Sequence, residues 1–184
     1  LVDEFLYPHS GTGSLYEKMF SKIKEMGGKI NLNSPIEKIN TNSNQSGKII
    51  LKLNNGSSKT FDHIISSMPL NLFVKGVDAP TNVQKSANLL NFRNTILVYL
   101  KIDAEKTFPD QWIYIHSKAF KTGRITNFKN WVPHINKGQK ETIICLEYWC
   151  YNDDKIWKWD EEKLIELAKE EIYQTKLIPI NSVI

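Results

Sequence analysis

Four stretches between residues 94 and 149 are dense in β-branched and aromatic residues, and they constrain the fold of this chain more than any other feature. They predict strands at Asn94–Ile102, Trp112–Ile115, Arg124–Phe128 and Thr142–Trp149. The first is a nearly continuous apolar run, which predicts burial on both faces of that strand. Asp160 is then placed to cap a last helix, with apolar residues on one face at Leu164, Leu167, Ala168 and Ile172. The second half therefore predicts a largely antiparallel sheet followed by a helix.

The first 90 residues predict a helix, small strands and a hairpin. An amphipathic helix at Ser14–Met26 ends at Gly27-Gly28, because glycine readily adopts the left-handed conformation of a helix cap. Asn55-Gly56 between two strand-like segments is a strong hairpin signal. Further strands are predicted at 29–32, 36–40 and 62–66, and short helices at 70–74 and 82–89. The predicted fold class is α+β, with mixed and antiparallel sheets and flanking helices.

The composition argues against several classes of protein. The net charge of +4 comes from lysines scattered along the chain, without the basic stripe or motif of a nucleic-acid binder. No apolar run approaches the ~20 residues of a transmembrane helix. The four histidines are far apart and have no Cys or carboxylate at ligand spacing, so we expect no metal site.

The two cysteines, Cys145 and Cys150, lie five positions apart on one predicted strand. An odd spacing directs their side chains to opposite faces, which argues against a disulfide between them. With no other cysteine to pair with, we expect reduced thiols and a cytoplasmic location.

Both ends of the sequence are unusual. It begins with Leu1, and residues 177–184 are mostly apolar, whereas a natural C-terminus is more often polar. We therefore expect an interior segment of a longer protein; a trimmed or processed chain is the alternative.

The loop Ser10-Gly-Thr-Gly-Ser-Leu15 opens the first predicted helix, where a helix N-terminus favours anions. A dinucleotide fingerprint needs a third glycine at the position that Tyr16 occupies, and a hydrophobic strand before the loop, which residues 1–9 do not supply. The residues alone favour a tight turn.

The segment from Gln111 to Trp149 interleaves aromatic rings with polar groups. One interpretation is ordinary packing of a sheet face. The other is a substrate cleft, since such clefts combine apolar walls with a few polar anchors. Arg124 is the best candidate to hold an anionic group, because guanidinium pairs with carboxylate or phosphate through two hydrogen bonds. Trp112, Tyr114 and Trp131 are the candidate walls.

Three stretches together resemble FAD-dependent amine oxidases and protoporphyrinogen oxidase-like proteins. Tyr7–Leu15 (YPHSGTGSL), with the helix that follows, resembles the family segment Y-P-x-G-G-x-G-x-L. Ile30–Ile39 (INLNSPIEKI) is similar to I-x-L-x-x-P-V-x-x-I, and Phe61–Pro69 (FDHIISSMP) to x-A-D-x-V-I-x-A-x-P. The order and spacing of the three agree over residues 5–70.

The second half resembles a bacterial subgroup that is also similar to UDP-galactopyranose mutase and is tied to surface-polysaccharide synthesis. The stretches that carry this resemblance are Trp112–His116, Gly123–Phe128, Asn130-Trp131 and Leu146–Trp149.

The resemblance implies FAD as cofactor of a longer parent flavoprotein, whose phosphate-binding strand–turn–helix and C-terminal flavin motif are absent from this chain. It implies that the backbone of Ile36 contacts the adenine and that Ser67, Met68 and Pro69 lie near the cofactor. Gly11 and Gly13 are implied cofactor contacts as well; His9-Ser10 stands where the family often has Gly-Gly, so the chain departs from the family pattern just before them.

The resemblance also implies two domains. Residues 1–69 would belong to an FAD-binding domain, contributing a helix, a β-hairpin and a final strand. Residues 70–184 would belong to a substrate-binding domain, an antiparallel sheet with a helix. The implied architecture is the middle portion of a two-domain FAD-dependent oxidoreductase.

We expect this chain to be a fragment of an FAD-dependent oxidoreductase, mainly of its substrate-binding domain, and inactive by itself. Its partners would be a small-molecule substrate and the remainder of the parent flavoprotein. One alternative is a mutase-like flavoenzyme of polysaccharide biosynthesis. The other is a non-enzymatic module that binds carbohydrate or peptide through its aromatic rings.

Overall fold

The computed structural model describes residues 6–41, 47–104, 107–131 and 138–184. The chain forms two compact units: Leu1–Lys22 with Phe92–Ile184, and Ile23–Asn91. We call the first the sheet unit and the second the hairpin unit. Helix α1 (Gly13–Glu25) begins in the sheet unit and ends in the hairpin unit. The predicted domains 1–69 and 70–184 concern the longer protein and stay a prediction.

The hairpin unit contains a three-stranded antiparallel sheet in the order β1-β2-β3. Its strands are β1 (Ile36–Asn40), β2 (Ile49–Leu53) and β3 (Ser58–Phe61). The predicted hairpin is confirmed, with Gly56 at φ 81° in the turn, a conformation that glycine adopts without strain. Two helices follow, α2 (Leu70–Gly76) and α3 (Thr81–Asn88).

Two predicted strands of the hairpin unit are wrong. Residues 29–32 and 62–66 form no strand, and Ile65 is fully exposed. A strand needs a neighbour for its backbone hydrogen bonds, and no strand among the described residues pairs with either segment. An apolar run predicts that a segment is buried, but it does not identify the part of the chain that covers the segment.

The sheet unit contains a four-stranded antiparallel sheet in the order β4-β7-β6-β5. Its strands are β4 (Asn94–Ile102), β5 (Trp112–Tyr114), β6 (Arg124–Asn127) and β7 (Thr142–Cys150). All four were predicted to within one or two residues. A one-turn helix, α4 (Phe128–Trp131), follows β6, and a 3₁₀ helix covers Lys155–Lys158.

Helix α5 (Glu161–Gln174) contributes to the core of the sheet unit. Asp160 caps it as predicted, accepting a hydrogen bond of 2.9 Å from the backbone N–H of Lys163. Ala168 and Ile172 belong to the same buried cluster as the even-numbered β4 residues Val98, Leu100 and Ile102.

Strand β4 is not buried on both faces, contrary to the prediction. Leu97 is 48% exposed and Tyr99 55% exposed, whereas Val98, Leu100 and Ile102 are buried, so one face of β4 packs on the core and the other is largely exposed. Cys145 and Cys150 are both buried free thiols, which confirms the prediction of no disulfide between them.

Candidate substrate site

Strands β5, β6 and β7 place three polar side chains in one row across the sheet. Tyr114 lies directly opposite Arg124, and Arg124 lies directly opposite Glu147. Residues opposite each other in an antiparallel sheet point to the same face, so the three side chains meet. The row therefore depends on the register between the strands, which cannot be read from the amino-acid sequence.

Arg124 and Glu147 form a two-pronged ion pair. Nε of Arg124 donates to Oε1 of Glu147 at 2.6 Å, and Nη2 donates to Oε2 at 2.7 Å. The Glu147 side chain is 7% exposed, whereas that of Arg124 is 37% exposed. Thr126 Oγ1 adds a long hydrogen bond of 3.4 Å to Glu147 Oε1. A carboxylate buried to this degree needs such partners, because an unpaired charge in this position is costly.

The third nitrogen of the guanidinium approaches Tyr114. Nη1 of Arg124 lies 3.4 Å from the hydroxyl of Tyr114, and the guanidinium carbon lies 5.7 Å from the centre of the Tyr114 ring. The hydrogen bonds to Glu147 raise the pKa of Arg124, so the guanidinium stays charged over the whole working range of pH. Two of the three guanidinium nitrogens, Nε and Nη2, already donate hydrogen bonds to Glu147.

Aromatic rings stand around this row. The rings of Trp112 and Trp131 lie 5.4 Å apart, and Tyr7 meets Trp131 edge-on at 5.1 Å. Trp131 Nε1 donates to the carbonyl of Gln111 at 3.2 Å, which fixes the indole. Ring pairs at these separations add to the stability gained from burial alone.

The turn after β6 positions two of the rings. Asn127 and Asn130 hold helix α4 against the preceding loop: Asn127 Nδ2 donates to Thr107 Oγ1 at 2.7 Å, and Asn130 Nδ2 donates to the carbonyls of Phe108 and Asp110 at 2.9 and 3.0 Å. Phe128 and Trp131, the first and last residues of α4, thereby come to lie beside the row.

Together these groups enclose a cavity of about 320 Å³, which we call the ring-lined cavity. Its volume falls at the lower end of the range typical of small-molecule sites. Among the described residues, its wall contains one cation, Arg124, and one carboxylate, Glu147, which neutralise each other. The lining residues are Tyr7, Thr12, Trp112, Tyr114, Arg124, Thr126, Phe128, Trp131 and Glu147.

All four residues predicted from sequence as substrate contacts, Arg124, Trp112, Tyr114 and Trp131, line this one cavity. Sequence reasoning missed Glu147. A glutamate inside the apolar run Leu146–Trp149 was the available signal, since a charge in a buried strand requires a partner. Tyr7 and Thr12 were missed because they are distant in sequence.

Trp149 on β7 packs closely against Gly123, the residue that precedes β6. Gly123 sits against Trp149: a Cβ added to this glycine would lie 2.2 Å from the indole ring. Trp149 also faces Tyr114, with ring centres 6.4 Å apart, and the guanidinium of Arg93 stacks on its ring at 5.7 Å. The absence of a side chain at Gly123 is thus what lets Trp149 pack against this strand.

The residues predicted to contact the cofactor are divided between the two units. Gly11 and Gly13 flank Thr12 in the sheet unit, and Gly11 has φ 85° in a turn closed by its N–H to the carbonyl of Pro8 at 2.9 Å. In the hairpin unit, Ile36 opens β1, and Ser67–Pro69 immediately precede α2.

The position of Ile36 fits a main-chain contact to a cofactor. β1 is an end strand of its sheet, so the backbone at Ile36 has an edge that no other described strand covers, as a main-chain contact to adenine requires. A Cβ placed on Gly11 or Gly13 would meet no protein atom within 4 Å, so no packing contact among the described residues requires a glycine at either position. Over the described residues there is no helix long and apolar enough to cross a membrane, and no cluster of potential metal ligands.

The family model for flavin containing amine oxidoreductases matches residues 3–177. Solved structures with a similar fold include reduced UDP-galactopyranose mutase (TM-score 0.77, 16% identity, 97% of this chain and 38% of that one). A protein assigned as a protoporphyrinogen oxidase from Exiguobacterium sp. 255-15 is similar (TM-score 0.75, 16% identity, 99% and 39%). So is a CLA-producing fatty acid isomerase from P. acnes (TM-score 0.61, 13% identity, 95% and 38%).

The chain thus spans about two fifths of the length of these solved structures. Because the sequence identities are 13–16%, the similarity shows a shared fold and nothing further. No curated protein sequence matches it. The family model, in contrast, covers nearly the whole chain. The chain has an α+β fold and belongs to the family of flavin containing amine oxidoreductases.

Proposed function

We propose that this chain is a segment of a longer FAD-dependent oxidoreductase of the amine oxidase or protoporphyrinogen oxidase type, and that its ring-lined cavity receives the small-molecule substrate. The observation that carries the proposal is the convergence of Arg124, Trp112, Tyr114 and Trp131 on one cavity in a chain of this family. A stand-alone carbohydrate or peptide module accounts for the rings but not for the family match.

Each part of the cavity has a role in this proposal. Trp112 and Trp131 form apolar walls that exclude water, and Nη1 of Arg124 with the Tyr114 hydroxyl supplies a polar anchor that orients the substrate. Glu147 fixes the guanidinium and cancels its charge. This neutral wall favours a substrate held by hydrogen bonds and ring contacts over one held mainly by charge.

FAD is proposed for the complete protein, with the backbone of Ile36 facing the adenine and Ser67–Pro69 near the cofactor. The flavin, when bound, would supply the redox chemistry by accepting hydride from a C–N or C–C bond. Within this frame residues 1–69 belong to the FAD-binding side and residues 70–184 to the substrate side, with Tyr7 and Thr12 contributing to the cavity from the former.

The proposal is tested by anaerobic reduction of the complete flavoprotein. A panel of primary, secondary and tertiary amines is mixed with the oxidised protein, and bleaching of the flavin absorption by one class supports the oxidoreductase. Replacing Trp131 with Ala should raise the concentration of that amine needed for half-maximal bleaching. Conversion of UDP-galactopyranose without net flavin reduction would instead establish the mutase-like alternative.

A further inference from the structure

Strand β4 leaves one edge of the larger sheet without a partner strand among the described residues. The backbone groups of odd-numbered residues face this edge: the carbonyl of Lys101 accepts from Ile184 N–H at 2.9 Å, and Asp103 N–H donates to the carbonyl of Ser182 at 2.6 Å. Backbone groups alternate sides along a strand, so Thr95, Leu97 and Tyr99 also direct their N–H and C=O groups to this edge.

A pairing with this edge has already begun at one end. Ile102 and Val183 form an isolated antiparallel bridge, bracketed by the two hydrogen bonds just described. The bridge sets both the direction and the register of any strand that extends it. Successive hydrogen-bonded positions of such a strand would face Tyr99, then Leu97, then Thr95.

An apolar groove of about 410 Å³ runs along the same edge. Its β4 lining is four consecutive residues, 96–99, which point alternately to opposite faces of the sheet. Four consecutive residues line one groove only when the groove follows the strand edge. Its other side is formed by α5, through Glu161, Leu164 and Ile165. The edge therefore offers backbone hydrogen bonds and apolar contacts together, which is what a β-strand uses when it adds to a sheet.

We propose that this edge of β4 is the docking site of one further β-strand from the remainder of the flavoprotein. The strand runs antiparallel to β4, continues the pairing that Ser182–Ile184 begin, and turns alternate apolar side chains towards Leu164 and Ile165. The inference rests on the proposed function, which supplies the longer flavoprotein. Left uncovered, a nine-residue end strand with Leu97 and Tyr99 exposed is a template for aggregation.

Residue-resolved amide hydrogen exchange, compared between the complete flavoprotein and the 184-residue chain, tests this directly. The amides of Ile96, Val98 and Leu100 face β7 and should exchange slowly in both. The amides of Leu97 and Tyr99 should exchange fast in the 184-residue chain and slowly in the complete protein. Fast exchange of these two amides in the complete protein would overturn the proposal.

Slow exchange of Leu97 and Tyr99 already in the 184-residue chain would overturn it too. If that protection rose with protein concentration, the occupant would be a second copy of the chain. Flavin absorption of the same samples reports on the proposed function separately: a complete protein without flavin but with a protected β4 edge would remove the flavoenzyme proposal and leave the strand in place.

A proline pair gives an independent readout. Leu97→Pro removes an N–H that faces the open edge, where proline is tolerated, so the Tm of the 184-residue chain should change little. The same variant should lower the Tm of the complete protein, because it deletes a hydrogen bond to the docked strand. Val98→Pro is the control, since it removes an N–H that faces β7 and should destabilise both. Equal Tm values for Leu97→Pro and the parent sequence in the complete protein would contradict the docking.

Discussion

At the scale of single residues, Glu147 determines what Arg124 does in the cavity. An isolated arginine in an aromatic cleft is an anion site, but here two of its nitrogens are held at 2.6 and 2.7 Å by a carboxylate that is itself buried. The pair is stable because neither charge is left unpaired. Sequence reasoning found Arg124 through its chemistry and missed Glu147, because their meeting depends on β6–β7 register, which no local pattern encodes.

Gly123 is the residue whose replacement should disturb the fold most directly. In Gly123→Ala the new Cβ would lie 2.2 Å from the Trp149 ring, so the indole or the strand must move. We expect a loss of about 1–3 kcal/mol in the free energy of unfolding, measured by urea titration. Gly13→Ala is the matched control: its Cβ would meet no atom within 4 Å, and we expect unchanged or slightly higher stability. Equal effects at the two glycines would show that the Trp149 contact is unimportant.

The buried thiol of Cys145 should be inert in the folded chain. Burial raises the pKa of Cys145 to about 12, with Glu147 contributing, so the reactive thiolate is scarce at neutral pH. We expect slow labelling by a thiol reagent at neutral pH and rapid labelling in urea. Because the unfolded thiol ionises at a lower pH than the folded one, the contribution of this group to stability is complete at neutral pH and falls as the pH rises from about 9 towards 12. A Cys145→Ser variant with the same alkaline stability profile as the parent would show that this thiol is not responsible.

At the scale of elements, the sequence predicted what depends on neighbours along the chain. The α1 periodicity, the Asn55-Gly56 turn and the Asp160 cap are local signals, and each was confirmed. The strand at 62–66 and the double burial of β4 were wrong, since both depend on what packs against the segment. The four predicted residues that line the ring-lined cavity could be found together because they lie on the neighbouring strands β5 and β6 and on helix α4, which directly follows β6. In this part of the chain, sequence proximity approximates spatial proximity.

Helix α5 stabilises the loop that leads into the site. Glu171, 4% exposed on α5, accepts hydrogen bonds from the backbone N–H groups of Lys121 at 2.5 Å and Thr122 at 3.0 Å, three and two residues before Arg124. Glu171→Ala leaves these donors without an acceptor and should cost about 1–3 kcal/mol of unfolding free energy. Glu170→Ala, at an exposed position on the same helix, is the control and should cost far less. A thermal shift of equal size in both variants would argue against a specific role for Glu171.

At the scale of the whole molecule, the chain covers about two fifths of the length of similarly folded proteins, and it carries the cavity but no phosphate-binding fingerprint. We therefore expect the purified 184-residue chain to be colourless and not to retain FAD after gel filtration. The physical reason is that the pyrophosphate of a dinucleotide is held mainly by a glycine-rich turn at a helix N-terminus. A yellow chain that keeps flavin through gel filtration would contradict the assignment of FAD binding to the longer protein.

The central claim, that the ring-lined cavity receives the substrate, is tested most directly by Arg124→Ala in the complete flavoprotein. Flavin occupancy is read from absorption, and substrate affinity from titration with the compound that bleaches the flavin. Losing a hydrogen bond to a charged group costs about 1.5–3 kcal/mol, so affinity should fall about tenfold or more while flavin occupancy stays intact. Arg93→Ala, at an arginine that stacks on Trp149 and does not line the cavity, should leave both unchanged. Unchanged affinity and turnover in a folded, flavin-loaded Arg124→Ala protein would contradict the account.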